Sequence, residues 1–526
     1  MWQQNYAPIG GSLAASALVA ALPVIALLYA IGVRRVSAWK SSIVGLLAAL
    51  LVAIFAYRMP PLLVVDSALY GAAFGAFPIF WVIYWAIVLY RLTLDTGKFE
   101  TLKNSIAQLT TDRTLQALLI AFAFGAFLEG AAGFGTPVAV AAAILGGLGF
   151  AAFEAAAICL LANTAPVAFG SIAIPLVTLA ATTGLPIDLL SKYVGRLCAP
   201  VALFIPAYLV LVLGGRKALR RVWPAAVVCG ACFAATQFLI SNFIGPYLTD
   251  ILASLAAVLG LILLLQFWSP PAIALLHTRY STRELVDAWS PYLLLVLFIL
   301  LWSIDAVKAF LNRPSLTFAW PGLHNVVQQI PPVVARAAPY AALYRFRYLA
   351  EAGTACAIAA VATALILRVR PRRFLRLAAQ SADQLKFSFV SIIAVLALAF
   401  VMNYSGATAT LGLVFASTGR AFPFFSAMLG WLGVFLTGSD TSANALFGSL
   451  QQVTAHRLGL NPALMASANS AGGVMGKMIS LQSIAVAAAA AGLKPQDEPA
   501  LFRFTLKHSL FLASVVGVLC LMYARS

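Results

Sequence analysis

The feature that most limits what this chain can fold into is a series of long, nearly uncharged apolar runs. They lie at 14–33, 41–57, 66–92, 114–128, 138–162, 166–182, 196–213, 222–243, 247–267, 289–303, 350–367, 386–402, 422–436, 463–491 and 507–523. A helix of about 20 apolar residues crosses the hydrocarbon core with all its backbone polar groups satisfied internally. Some runs are short or broken by glycine, and some are long enough for two half-helices. The expectation is an all-α integral membrane protein with roughly twelve to fourteen crossings, a single polytopic domain over 1–526. The runs are continuous, not alternating, which argues against a β-barrel. Only 10% of residues are charged and 62% are hydrophobic, whereas a soluble domain carries about 25% charged residues. A soluble enzyme, a disordered chain and a coiled coil are thereby excluded.

The charges are unbalanced: Lys and Arg number 34 against 16 Asp and Glu, a net of +18. They fall in clusters between apolar runs: Arg34, Arg35 and Lys40; Arg216, Lys217, Arg220 and Arg221; Arg368, Arg370, Arg372, Arg373 and Arg376. The positive-inside rule explains this better than nucleic-acid binding does. It puts the clusters in the cytoplasm, and the N-terminus and the polar stretch about 304–349 outside. Residues 1–11 lack a basic leader region, so the first run is expected to be a retained span. The six cysteines lie in apolar segments, and the Cys229/Cys232 spacing lacks the further ligands of a metal site. His277, His324, His456 and His508 show no ligand spacing, so neither metal nor cofactor is expected.

Two stretches share the pattern G-x-F-L-x-G: Gly125–Gly130 and Gly433–Gly438. Downstream lie Asn163-Thr164-Ala165 and Asn469-Ser470-Ala471, 33 and 31 residues after the last glycine of each pattern, each with a glycine seven residues past its Asn. An internal duplication is the reading taken here, over chance similarity in an Ala/Gly-rich chain, with repeat cores at about 114–213 and 422–523. Each copy also carries a break. In the first, Gly130, Gly133, Gly135 and Pro137 interrupt an apolar run; in the second, Thr437 to Asn444 is dense in polar side chains. Paired broken helices mark the substrate site of many transporters, because unwound backbone survives at membrane depth only beside a polar cavity.

Lone charges in such runs are costly and therefore functional candidates. Glu129 and Asp440 are the candidate proton carriers, since burial makes a carboxyl readier to hold a proton. The plainer readings are a Glu satisfied by backbone amides and an Asp that caps the next helix. Lys477 follows Gly472-Gly473-Val474-Met475-Gly476, but Met478 stands where a phosphate-binding loop needs Ser or Thr. It is better read as the partner of an anionic substrate, or of Glu129 or Asp440. Asn163, Thr164, Asn469, Ser470, Ser480, Gln482 and Ser483 add neutral donors and acceptors, which also serve as helix-packing groups.

These segments resemble the lactate permease family, which includes glycolate permeases. The resemblance rests on Phe127–Gly135, Asn163–Gly170, Gly438–Ser442, Gly476–Ser480, Leu501–Ser509 and the opening Trp2–Tyr6, and it runs the whole length of the chain. It implies a bacterial inner-membrane carrier that moves small 2-hydroxymonocarboxylates, lactate and glycolate, inward with protons. It also implies re-entrant hairpins. One departure is Leu481, where the family pattern has proline, which would alter the local break. The substrate is expected among Gly130, Gly133, Phe134, Gly135, Thr136, Asn163, Thr164, Ser439, Thr441, Ser442, Asn444, Asn469, Ser470, Lys477, Ser480 and Gln482. Lys477 and half-helix N-termini would hold the carboxylate. Sodium coupling through the Asp440 cluster, or a passive anion channel, stays open at this stage, as do oligomeric state and the ranking of lactate against glycolate or pyruvate.

Overall fold

The apolar runs form helices, and the glycines and prolines between them set where the helices stop. The computed structural model describes every residue except 108, 134, 269–279 and 526; Phe134 and His277 therefore lie outside the described residues. The first helices are α1 (Leu13–Gly32), α2 (Ala38–Leu51), α3 (Pro61–Phe74), α4 (Trp81–Asp95) and α5 (Lys98–Ala107). Next, α6 (Arg113–Gln116) runs through a π-helical stretch into α7 (Gly125–Ala131), followed by α8 (Thr136–Gly147), α9 (Ala152–Ala162), α10 (Gly170–Thr183) and the 57-residue α11 (Ile187–Phe243). Then come α12 (Thr249–Phe267), α13 (Thr282–Ser303), α14 (Asp305–Asn312), α15 (Ala352–Ile366), α16 (Pro371–Ser405) and α17 (Ala407–Phe415). The chain closes with α18 (Phe422–Thr437), α19 (Asp440–Leu458), α20 (Pro462–Lys477), α21 (Leu481–Ala491) and α22 (Glu498–Tyr523).

Among the described residues, eleven helices are long and apolar enough to cross a membrane, or twelve with the bent pair from Ala152 to Thr183. A straight α11 would measure roughly 85 Å at 1.5 Å per residue, far more than one crossing. It breaks at Gly215, where φ is +66°, beside the Arg216–Arg221 cluster. Counted as two, it brings the total into the expected range. Exposed Leu18, Phe55, Leu62, Phe204 and Leu365 face outward, where lipid is the only solvent that suits them. By contrast residues 114–131, which include Glu129, are all buried.

The polar stretch is not featureless. It holds α14 and four short strands, β2 (Leu316–Ala319), β3 (Val327–Gln329), β4 (Ala338–Pro339) and β5 (Leu343–Phe346). The N-terminal strand β1 (Trp2–Gln3) pairs in parallel with β3, Trp2 against Val327, so the N-terminus and this loop share one face of the protein. α1 and α15 both leave that face. α11 leaves it and returns, since Asp188 and Asn242 line one cavity with Arg347. All three basic clusters therefore sit on the opposite face.

The two repeat cores show the same succession of elements: a long helix, a break, a helix, a turn, a helix, a second break, a short helix and a final long one. The contacts are reciprocal. α10 packs on α19 while α21 packs on α8, and α11 packs on α20 while α22 packs on α9. Small residues allow the closest approach. A Cβ at Gly430 would sit 1.8 Å from Asn469 O, and one at Gly472 would sit 2.1 Å from Ala427 O, so α18 and α20 touch backbone to backbone.

Candidate functional site

Both breaks that the glycines announce are present. α7 ends at Ala131; Gly133 (φ +59°) and Gly135 (φ +80°) adopt the left-handed region, and Pro137 starts α8 where its missing N–H costs nothing. In the second copy Gly438 (φ +72°) ends α18, and Ser439 caps α19 by accepting the Ser442 N–H at 3.2 Å. Ser480 caps α21 in the same way through Ser483 N. Leu481 fills the first position of α21, and the break before it is present.

The two segments diverge after their Asn. α20 continues unbroken past Asn469 to Lys477, whereas the chain unwinds after Asn163. There Ser171, Ile172 and Ala173 all have φ between +48° and +60°. Left-handed non-glycine residues cost about 1–2 kcal/mol each. Such strain persists only where the surroundings enforce it. Ile172 and Ala173 are completely buried, and Ser171 Oγ donates to Ala132 O at 3.1 Å, tying one break to the other.

A cavity of about 230 Å³ lies where these breaks meet. That volume suits a small ion and falls below the size of drug-binding pockets. Lys477 Nζ donates to Glu129 Oε1 at 3.0 Å across the cavity, and Glu129 Oε2 has no partner. Gly170 makes room for this carboxylate, since a Cβ there would meet Oε1 at 2.7 Å. Asp440 lines the same cavity. Its Oδ2 accepts from Ser470 Oγ at 2.6 Å and from Asn444 Nδ2 at 3.4 Å, while Oδ1 is unpartnered. Behind it runs a buried amide chain: Gln451 Nε2 donates to Asn469 Oδ1, and Asn469 Nδ2 to Asn444 Oδ1. Asn444 Nδ2 also donates to Pro175 O at 3.1 Å, joining α19 to α10.

Of the candidate residues, Glu129, Gly135, Ser439, Asp440, Thr441, Ser442, Lys477 and Gln482 line the cavity. Asn444, Asn469 and Ser470 stand behind Asp440 and orient it. Ser480 caps α21, Gly133 packs on Ser171 Oγ, and Gly130 packs on Asp250 and Ile251. Thr164 Oγ1 donates to Leu161 O. Asn163 is buried with both side-chain polar atoms unpartnered. Thr136 lines a separate pocket with Arg91 and Gln384.

Sequence reasoning missed the wall that α2 and α16 supply: Trp39, Phe387, Ser388 and Ser391. Trp39 stacks on Phe387 with ring centroids 5.2 Å apart, and Ser42 and Ser391 share a hydrogen bond. No motif marks these positions. Outside the cavity lining, the apolar run 247–267 carries one carboxylate, Asp250.

A polytopic helical protein with a charged cavity enclosed by broken helices is a membrane transporter. The chain belongs to the L-lactate permease family, whose profile matches residues 16–525. The glycolate permease GlcA of Escherichia coli K12 is 43% identical over 550 residues, covering 99% of this chain and 98% of that protein. The L-lactate permease of Bacillus subtilis 168 is 44% identical over 552 residues, covering 98% and 97%. Among solved structures, Neisseria gonorrhoeae MtrF, described within a class of antimetabolite efflux pumps, shares 14% identity at a TM-score of 0.47, over 88% of this chain and 83% of its own.

Proposed function

We propose that this protein carries L-lactate and related 2-hydroxymonocarboxylates such as glycolate into the cell together with a proton. The observation that carries this reading is the Lys477–Glu129 pair at the cavity wall. Lys477 is the cation among the described lining residues. A substrate carboxylate that takes its ammonium leaves Glu129 without a counter-ion. Two buried anions beside one cation are strongly disfavoured, so Glu129 takes up a proton as the substrate binds. One monoanion with one proton moves no net charge, and a pH gradient drives accumulation.

The N-terminal turns of α19 and α21 border the cavity through Ser439 to Ser442 and Gln482 to Ser483, adding partial positive charge and N–H donors for the carboxylate. Gln482 and the hydroxyls of Ser439 and Thr441 are the groups for the substrate 2-hydroxyl. The two repeat cores are copies of one unit, with the substrate held where they meet. By the positive-inside rule the basic face is cytoplasmic, in the inner membrane, and the N-terminus and loop are outside. Trp39 and Phe387 line the cavity next to Lys40 and Lys386, and this wall is its proposed cytoplasmic side. Counterflow of labelled lactate into lactate-loaded proteoliposomes tests the substrate assignment. Glycolate should compete and a dicarboxylate should not; failure of both lactate and glycolate to exchange overturns it.

A further inference from the structure

The loop face holds a second polar cavity, lined by Asp188, Lys192, Asn242, Tyr247, Arg347 and Glu351 among others. Three residues past Tyr247, in the first turn of α12, lies Asp250. Its side chain is 1% exposed, and neither carboxylate oxygen has a hydrogen-bond partner. On its other side it touches the helix of Glu129: a Cβ at Gly130 would stand 3.0 Å from Asp250 Cβ. Asp250 thus lies one helical turn along the chain from Tyr247 of the loop-face cavity and packs against the helix that carries Glu129.

The titratable groups that act on Asp250 are Glu129 on α7 and the buried Cys198 thiol on α11. Its amide neighbour, Gln237, spends Nε2 on Ala165 O at 3.2 Å and keeps an unpartnered Oε1. An ionised carboxylate without donors in such a place is costly. A protonated one is neutral and supplies the donor that Gln237 Oε1 lacks. Lys477 compensates one of the neighbouring acids, not two.

We infer that Asp250 is a proton-relay residue, passing the coupling proton between the loop-face cavity and Glu129. When the substrate takes Lys477, the Asp250 carboxyl gives its proton to the Glu129 carboxylate, directly or through one water. The O–H bond on Asp250 breaks as that on Glu129 forms. Asp250 is then reprotonated from water in the loop-face cavity. This rests on the proton-symport reading above.

The test uses the full protein in liposomes, comparing wild type with Asp250→Asn and Asp250→Glu. An inside-alkaline gradient of one pH unit drives at most about tenfold accumulation in a one-to-one symporter. Asp250→Asn should keep lactate counterflow at equal pH while its gradient-driven accumulation ratio falls to unity; Asp250→Glu should regain accumulation. Wild-type accumulation in Asp250→Asn overturns the relay. So does loss of counterflow and accumulation together in a protein that still unfolds cooperatively, which marks a packing role. A wild-type protein that ignores the pH gradient and needs sodium would instead overturn the symport reading itself.

Discussion

Replacing Lys477 with Met keeps the side-chain stem and removes the charge. The Lys477 and Glu129 side chains are 12% and 3% exposed, and their charged atoms are 3.0 Å apart. Removing one partner of a buried pair costs about 3–5 kcal/mol. Here the lower end applies, because Glu129 borders a cavity and is relieved by protonation. The substrate loses a hydrogen bond from a charged donor, about 1.5–3 kcal/mol, which weakens binding roughly 10- to 150-fold. Thermal unfolding in detergent reads the first effect and equilibrium binding of labelled lactate the second. The double variant Glu129→Gln with Lys477→Met should recover most of the stability, since no buried charge is stranded, but none of the affinity. Unchanged lactate affinity in Lys477→Met, or recovered affinity in the double variant, would refute the anion-site argument.

Two further outcomes follow from packing and access. Gly472→Ala should destabilise the protein by about 3 kcal/mol or more, because its Cβ would meet the Ala427 carbonyl at 2.1 Å; Gly146→Ala, with nothing within 4 Å, should leave the melting temperature unlowered. Ser439→Cys should react with a membrane-impermeant thiol reagent in inside-out vesicles, with lactate protecting it, and labelling only from the outside would reverse the proposed orientation.

The helical membrane fold was legible because hydrocarbon leaves a chain few alternatives, so run length and continuity decide the architecture. Glu129 and Lys477 were legible because a lone charge in an apolar run needs compensation, even though 348 residues separate them. The choice of Glu129 over Asp440 as the partner of Lys477 needed the fold. Asn469 and Ser470 carried the right chemistry but stand behind Asp440, because α20 stays helical through them; composition does not reveal which side of a buried helix meets a cavity. Trp39 and Ser391 belong to helices without motifs and join the site only through tertiary packing. Asp250 resembles an ordinary first-turn acid until its missing partners are seen. The strands around Val327 are too short for a periodic signal.

The central claim is that Glu129 and Lys477 couple a carboxylate to a proton, and uptake of labelled lactate into proteoliposomes under an imposed pH gradient tests it most directly. The account predicts accumulation that needs acid outside, proceeds without sodium, collapses with a protonophore and vanishes in Glu129→Gln. Accumulation that requires sodium, or that survives in Glu129→Gln, would contradict it.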